Sequence, residues 1–230
     1  MVVDWYNPYD DPNCPACDCA DWGMMGCIST CSREKYVVAK RKELGAGKKK
    51  IRRINIFGGP GSGKSTLAAW LWSELKIAGF NVEHVQEWVK GWAYANRPIT
   101  SFDEVYAFAK QMHKEDNLLR QGVDHIICES PLLLIASYAT RNKSTFADDL
   151  ISLANKFEHI YPSVFVFLQR GDIPYKREGR YEDLEAALAT DEVIEFVARS
   201  NAPHLMLEFP AKDRSSILSH VLNELGVNIP

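Results

Sequence analysis

No stretch of this 230-residue chain approaches the roughly 18 consecutive apolar residues that a membrane-spanning helix requires. No opening segment joins a charged start to an apolar run in the manner of a signal peptide. Both absences lead to the expectation of a protein with no membrane partner, kept in a reducing cytoplasm where structural disulfides do not persist. Strong net charge is missing too. A formal charge of −3 and a pI near 6.1 do not mark the whole chain as a nucleic-acid binder. The charge is uneven, however. Residues 1–32 carry Asp4, Asp10, Asp11, Asp18 and Asp21 and no lysine or arginine, whereas residues 33–53 hold ten basic residues against Glu34 and Glu43. Such a basic run reads as a solvated linker, or as an arm that neutralises phosphates.

Cysteine is scarce after residue 31, where only Cys128 remains, and that one sits in an apolar stretch as a small hydrophobe. The other five cluster as C-x2-C-x-C-x7-C-x3-C. Cys14, Cys17, Cys27 and Cys31 could bring four thiolates to a zinc tetrahedron, with Cys19 spare. An iron–sulfur site and an unliganded tail stay open beside zinc.

What is present is globular: 46% hydrophobic and 25% charged residues, in a chain long enough for one α/β domain with an appendage. Texture divides it into a Cys-rich acidic segment (1–32), a basic linker (33–50) and a domain from residue 51 to 230. Within that domain "IRRINIF", "NVEHV", "DHIICE", "SVFVFL" and "HLMLEF" read as five short strands. Helical patterns separate them, among them "KSTLAAWLWSELKIAG" and "SFDEVYAFAKQMHKEDNLLRQG", the latter with Ser101 as N-cap and Glu104 closing a capping box. Alternation of this kind predicts a three-layer fold, a mostly parallel sheet of about five strands flanked by helices.

"GGPGSGKST" carries the chemistry. Gly58, Gly63, Lys64 and Ser65 satisfy G-x-x-x-x-G-K-[ST], directly between a strand and a helix. In this stretch Gly58, Gly59, Pro60, Gly61, Ser62 and Gly63 let the backbone wrap an anion, and the helix start at Lys64, Ser65 and Thr66 adds its dipole. Lys64 reaches terminal phosphates, and the Ser65 hydroxyl can ligate Mg²⁺. The expected ligand is a nucleoside triphosphate.

Ligands of an open parallel sheet sit beyond the carboxyl ends of its strands, so the acids there are candidates. Glu87 follows the second strand, where a carboxylate could accept a proton from an attacking hydroxyl. Glu129 ends the third strand, where it could hold Mg²⁺ directly or through water, or assist the base, with Ser130 in support. Past the fourth strand, Arg170, Lys176, Arg177 and Arg180 form an arginine-bearing segment suited to charge on a migrating phosphoryl group. The aromatic segment with Trp88 and Trp92 is either a stacking platform for a base or ordinary helix packing. Gln111 offers the donor–acceptor pair a pyrimidine edge needs.

From residue 51 onward the chain resembles P-loop kinases of the thymidylate kinase and deoxynucleoside kinase group, and more closely the kinase-like proteins of tailed bacteriophages. The resemblance rests on "INIFGGPGSGKST", Glu87, Gln111, "ESPL" at the third strand, and Pro174, Tyr175, Gly179 and Arg180 in the segment after the fourth. It implies ATP and Mg²⁺ as cofactors, with Glu87 as base and Arg180 as a lid residue. Its narrowest implication is a kinase acting on 5-hydroxymethyluracil in phage DNA, with modified-base DNA or a nucleotide as acceptor. A free nucleoside or nucleotide kinase and a non-kinase P-loop ATPase are the alternatives. "ESP" stands where free thymidylate kinases carry an Asp-Arg-Tyr-type signature, which disfavours plain thymidylate as substrate.

Overall fold

β1 (Arg53–Phe57) is buried along its whole length, because both of its faces are covered by helices. The computed structural model describes residues 51–100, 102–171, 174–202, 206–210 and 212–226. The four cysteines offered for zinc, the basic linker and Ser101 lie outside them. β1 feeds α1 (Lys64–Ile77), after which β2 (Val82–Val85), the one-turn α2 (Lys90–Tyr94), α3 (Asp103–Arg120) and β3 (His125–Cys128) follow. α4 (Leu132–Arg141), α5 (Ala147–Ile160), β4 (Ser163–Gln169), α6 (Leu184–Asn201), β5 (Met206–Pro210) and α7 (Arg214–Glu224) complete the unit.

All strand pairs are parallel, in the order β2-β3-β1-β4-β5, as the alternating pattern predicts. Strand side chains alternate between faces and so divide the core into two layers. Ile54 and Ile56 of β1 join Val164, Val166 and Leu168 of β4 against Leu67, Leu71 and Leu75 of α1 and Ile217 and Val221 of α7. Phe57, Phe165 and Phe167 point the other way, into Leu132, Leu134, Phe157 and Ile194. Among the described residues no helix is long and apolar enough to cross a membrane.

Arg53 shares the second face and is only 2% exposed. A guanidinium there is tolerated because every side of it is engaged. It donates to Glu115 (3.1 Å), to Glu158 (2.5 Å) and to the Tyr161 carbonyl (2.8 Å), and its carbon lies 4.8 Å from the centre of the Phe157 ring.

The start of α3 differs from the expected capping box. Phe102 precedes it in the left-handed region (φ 69°), which a bulky residue rarely adopts, and the Asp103 carboxylate takes the Thr100 N–H and hydroxyl. Glu104 accepts instead from the Asn142 amide.

Candidate functional site

At the end of β1 the chain turns through residues 58–63 into α1. Gly63 caps that helix at φ 98°, a conformation open to glycine at little cost. Lys64 is the first helical residue, and its ammonium folds back to donate to the Gly58 (2.7 Å) and Gly59 (2.9 Å) carbonyls. Burial pushes that ammonium below its ordinary pKa, against the pull of Glu87, Glu129 and Asp191.

Because β3 pairs directly with β1, Glu129 emerges beside this loop. It is 4% exposed. One of its oxygens accepts the Glu87 N–H at 2.8 Å, joining the ends of β2 and β3. Its other oxygen, Oε2, is buried without a hydrogen-bond partner, with His84 Nε2 3.8 Å away. A buried, unpaired carboxylate oxygen next to a phosphate-type loop is the donor a hard cation such as Mg²⁺ takes. The first turn of α1 carries Ser65, whose hydroxyl is a further oxygen donor at this loop. Among the described residues there is no cluster of three or more His, Cys, Asp or Glu that could hold a metal by itself, so any such ion would draw on phosphate or water oxygens as well.

Gly61, Gly63, Lys64, Ser65, Thr66, Glu87, Trp92, Ser130 and Arg180 all border one cleft of about 1110 Å³. Burial there raises the Glu87 carboxyl, with Lys64 opposing. The rest of the lining is mixed: Ile99, Phe102, Ala107, Leu134, Ile135 and Phe146 stand among Asp103, Glu104, Arg141 and Asn142. The cleft's volume stands just above the roughly 300–1,000 Å³ of a typical single-ligand pocket.

The segment after β4 closes over this space. Tyr181 donates its hydroxyl to the Arg97 carbonyl (2.6 Å), Tyr175 donates to the Glu182 carbonyl (2.7 Å), and Glu182 pairs with Arg141 of α4 (3.0 Å). Arg180 lies with its guanidinium carbon 5.3 Å from the centre of the Tyr175 ring. Arg177 borders a second, smaller cavity of about 600 Å³ between this segment and residues 93–98. Arg170 lies outside the cleft lining, held in a bidentate pair with Asp191 and bonded to the Pro60 carbonyl at 2.7 Å.

Gln111 and Trp88, like Arg170, Arg177 and Glu129, are not part of the cleft lining. Gln111, offered as a base-edge contact, is 3% exposed and donates its amide to Glu115 at 2.8 Å, so it completes the Arg53 network and does not line the cleft. Trp88 packs edge-on to Trp92 (4.7 Å) and Tyr106 (5.2 Å), outside the cleft. Trp92 does border it, but the Arg97 guanidinium covers its ring at 3.7 Å. The packing reading of the aromatic segment thus accounts for Trp88. Sequence reasoning missed Tyr138, Arg141, Glu182 and Asp191. The first three line the cleft, and Asp191 abuts the loop. No spacing within helices α4 and α6, or in the segment before α6 that holds Glu182, singles them out.

The fold is similar to that of a NadR protein solved in complex with NR, at a TM-score of 0.60 and 11% identity over 86% of this chain. The present chain spans 62% of that protein's length. A deoxyadenosine kinase from M. mycoides, solved with dCMP and a flexible dCDP, overlaps 76% of this chain and 98% of its own at 17% identity and a TM-score of 0.39. No curated protein matches in sequence. The NadR likeness shows a shared fold, here a five-stranded parallel sheet in the order 2-3-1-4-5 flanked by helices. Residues 53–213, from the first strand through the phosphate-type loop to the start of the last helix, match the family described as AAA domain, and the chain belongs to that family.

Proposed function

We propose that residues 51–230 form an ATP-dependent phosphotransferase that moves the γ-phosphoryl group to a hydroxyl of a nucleoside, nucleotide or nucleobase. The observation that carries this reading is a single cleft. Lys64, Glu87 and Arg180 border it, and its remaining lining of apolar and polar side chains, among them Leu134, Ile135, Asp103 and Asn142, would receive a second ligand. The acceptor oxygen attacks the γ-phosphorus, the bond to the β–γ bridging oxygen breaks, ADP departs, and the acceptor proton passes to Glu87. Lys64 and Arg180 counter the charge that spreads over the phosphoryl oxygens. Ser65 and Glu129 would hold Mg²⁺, which when bound neutralises charge between the terminal phosphates. Tyr175, Tyr181 and Glu182 anchor the covering segment that keeps water from competing with the acceptor.

The narrowest acceptor we propose is the hydroxymethyl group of 5-hydroxymethyluracil in DNA. It is supported by the resemblance carried by "ESPL" and by Gly179 and Arg180. The basic residues 33–50 would then face backbone phosphates, and the base would enter flipped or from a single strand. A test incubates the full chain with γ-labelled ATP and, separately, free nucleosides, nucleotides, thymine DNA and hydroxymethyluracil DNA. Label on the last alone supports this acceptor. Label on free nucleosides or nucleotides replaces it with a small-molecule kinase, and phosphate release without any acceptor replaces both with an ATPase.

The pH profile follows from the cleft. Glu87 must be ionised to take a proton, and burial holds its carboxyl above the ordinary 4.5, so activity rises with pH along an acid limb displaced upward. Lys64 must be charged, and burial holds it below the ordinary 10.5, so the alkaline limb moves down. A kcat/KM profile narrowed from both sides is expected, and Glu87→Gln should remove the acid limb. An acid limb that survives in that variant would assign it to another group.

A further inference from the structure

We infer that Asp191 is a positioning residue that holds Arg170 against the phosphate loop, so that the two act as one unit on a bound triphosphate. The inference rests on the cleft's reading as a triphosphate site, but its evidence is separate.

Arg170 follows β4 and Asp191 sits in the first half of α6, 21 residues later. Their contact is bidentate: Arg170 Nε to Asp191 Oδ2 at 2.6 Å, and Nη2 to Oδ1 at 3.1 Å. The same Nη2 donates to the Pro60 carbonyl at 2.7 Å. Both side chains are mostly covered, at 15% and 24% exposure, where such a pair is screened less than at a free surface. Two of the three guanidinium nitrogens are thereby engaged. The third, Nη1, makes no hydrogen bond among the described residues. It stands 3.5 Å from the point a Cβ on Gly61 would occupy. It is the nitrogen left to an anion in the loop.

Gly59 supplies the second line of evidence. Its φ is not in the left-handed region, so backbone conformation alone does not demand glycine there. Space does: a Cβ at Gly59 would lie 1.8 Å from Asp191 Oδ1. That carboxylate cannot easily yield, because Arg170 grips both of its oxygens. The loop is therefore shaped to admit Asp191. An ion pair that served only to fasten α6 to β4 would not require a phosphate-type loop to give way to it. Tyr175 completes the enclosure, its ring packed where a Gly61 side chain would go and its centre 5.8 Å from the Arg170 guanidinium carbon.

Holding a guanidinium in place beforehand matters because a free arginine side chain loses rotamer entropy when it is immobilised on a ligand. With Asp191 removed, Arg170 keeps its charge but loses its fixed direction. A neutral isostere, Asp191→Asn, isolates this effect with little change of shape.

The test measures binding of the Mg²⁺ complex of a non-hydrolysable ATP analogue by calorimetry, together with kcat and KM in the labelled-transfer assay and the thermal midpoint. Asp191→Asn and Arg170→Ala should each weaken analogue binding or lower kcat by about tenfold or more, the loss of one charge-assisted hydrogen bond. The double variant should be no worse than the poorer single one, since residues that act as a unit are not additive. Arg170→Lys should fail to restore function, because an ammonium cannot make the fork. Wild-type binding and kcat in Asp191→Asn, full rescue by Arg170→Lys, additive losses, or a lowered midpoint with unchanged binding and kcat would each overturn the inference. If Asp191→Asn does not fold, Arg170→Lys decides by itself: full activity overturns the inference and a tenfold loss supports it. If the unaltered chain does not bind the analogue, the triphosphate reading itself fails, an outcome distinct from a variant that binds as well as wild type.

Discussion

Replacing Lys64 with alanine is expected to abolish phosphoryl transfer, by at least two to three orders of magnitude in kcat, about the loss seen when one preorganised electrostatic contact is removed from a reacting centre. Its ammonium is hydrogen-bonded to the Gly58 and Gly59 carbonyls, with the carboxylates of Glu87 and Glu129 close enough to pull on its pKa. Among the described residues Lys90 and Arg180 border the same cleft, but neither bonds to the Gly58 or Gly59 carbonyl as Lys64 does. Arg170 is held by Asp191, and Arg141 is paired with Glu182. The loss should appear with every acceptor tried, since it acts on the donor side. Transfer at more than a tenth of the wild-type rate by Lys64→Ala would show that the loop is not the triphosphate site.

The second large effect is on stability. Glu115→Ala is expected to cost about 3–5 kcal/mol, because it leaves the buried Arg53 guanidinium without one of its two carboxylate partners. For a domain of this size that corresponds to a fall in Tm of roughly 10 °C, at about 2–4 °C per kcal/mol. Glu115 is fully buried, and it takes both the Arg53 guanidinium and the Gln111 amide. Glu115→Gln keeps a hydrogen-bonding side chain of the same length, so it should cost clearly less than the alanine variant. Urea titration with an unchanged m-value would assign the loss to the native state. Equal stability of Glu115→Ala and wild type would mean that the network contributes nothing.

The phosphate-type loop was legible because its chemistry is local. Gly58, Gly63, Lys64 and Ser65 lie within eight residues, and the apolar strand before them and the helix after them fix the context. Glu87 and Glu129 were legible as strand-end acids for the same reason; in the structure they bond to each other and both act on the Lys64 ammonium. Gln111 was misplaced because a glutamine on a helix has no sequence mark for the direction it faces. Its burial depends on Arg53, 58 residues earlier in the chain. Trp88 and Trp92 look alike in sequence, yet only one reaches the cleft.

By itself, then, the amino-acid sequence determined the class of this protein. Five short apolar strands alternate with amphipathic helices, and a glycine-rich turn joins the first strand to a helix. Those features depend on periodicity and backbone freedom, which are properties of neighbouring residues. Only the tertiary structure decided that β3 lies beside β1, that Glu129 has a buried oxygen to offer, and that Arg141 and Glu182 meet across the cleft. It also decided that Asp191 grips Arg170 over a glycine with no room for a side chain. Each of these depends on residues at least 21 positions apart, and contact at that distance is set by packing rather than by local pattern.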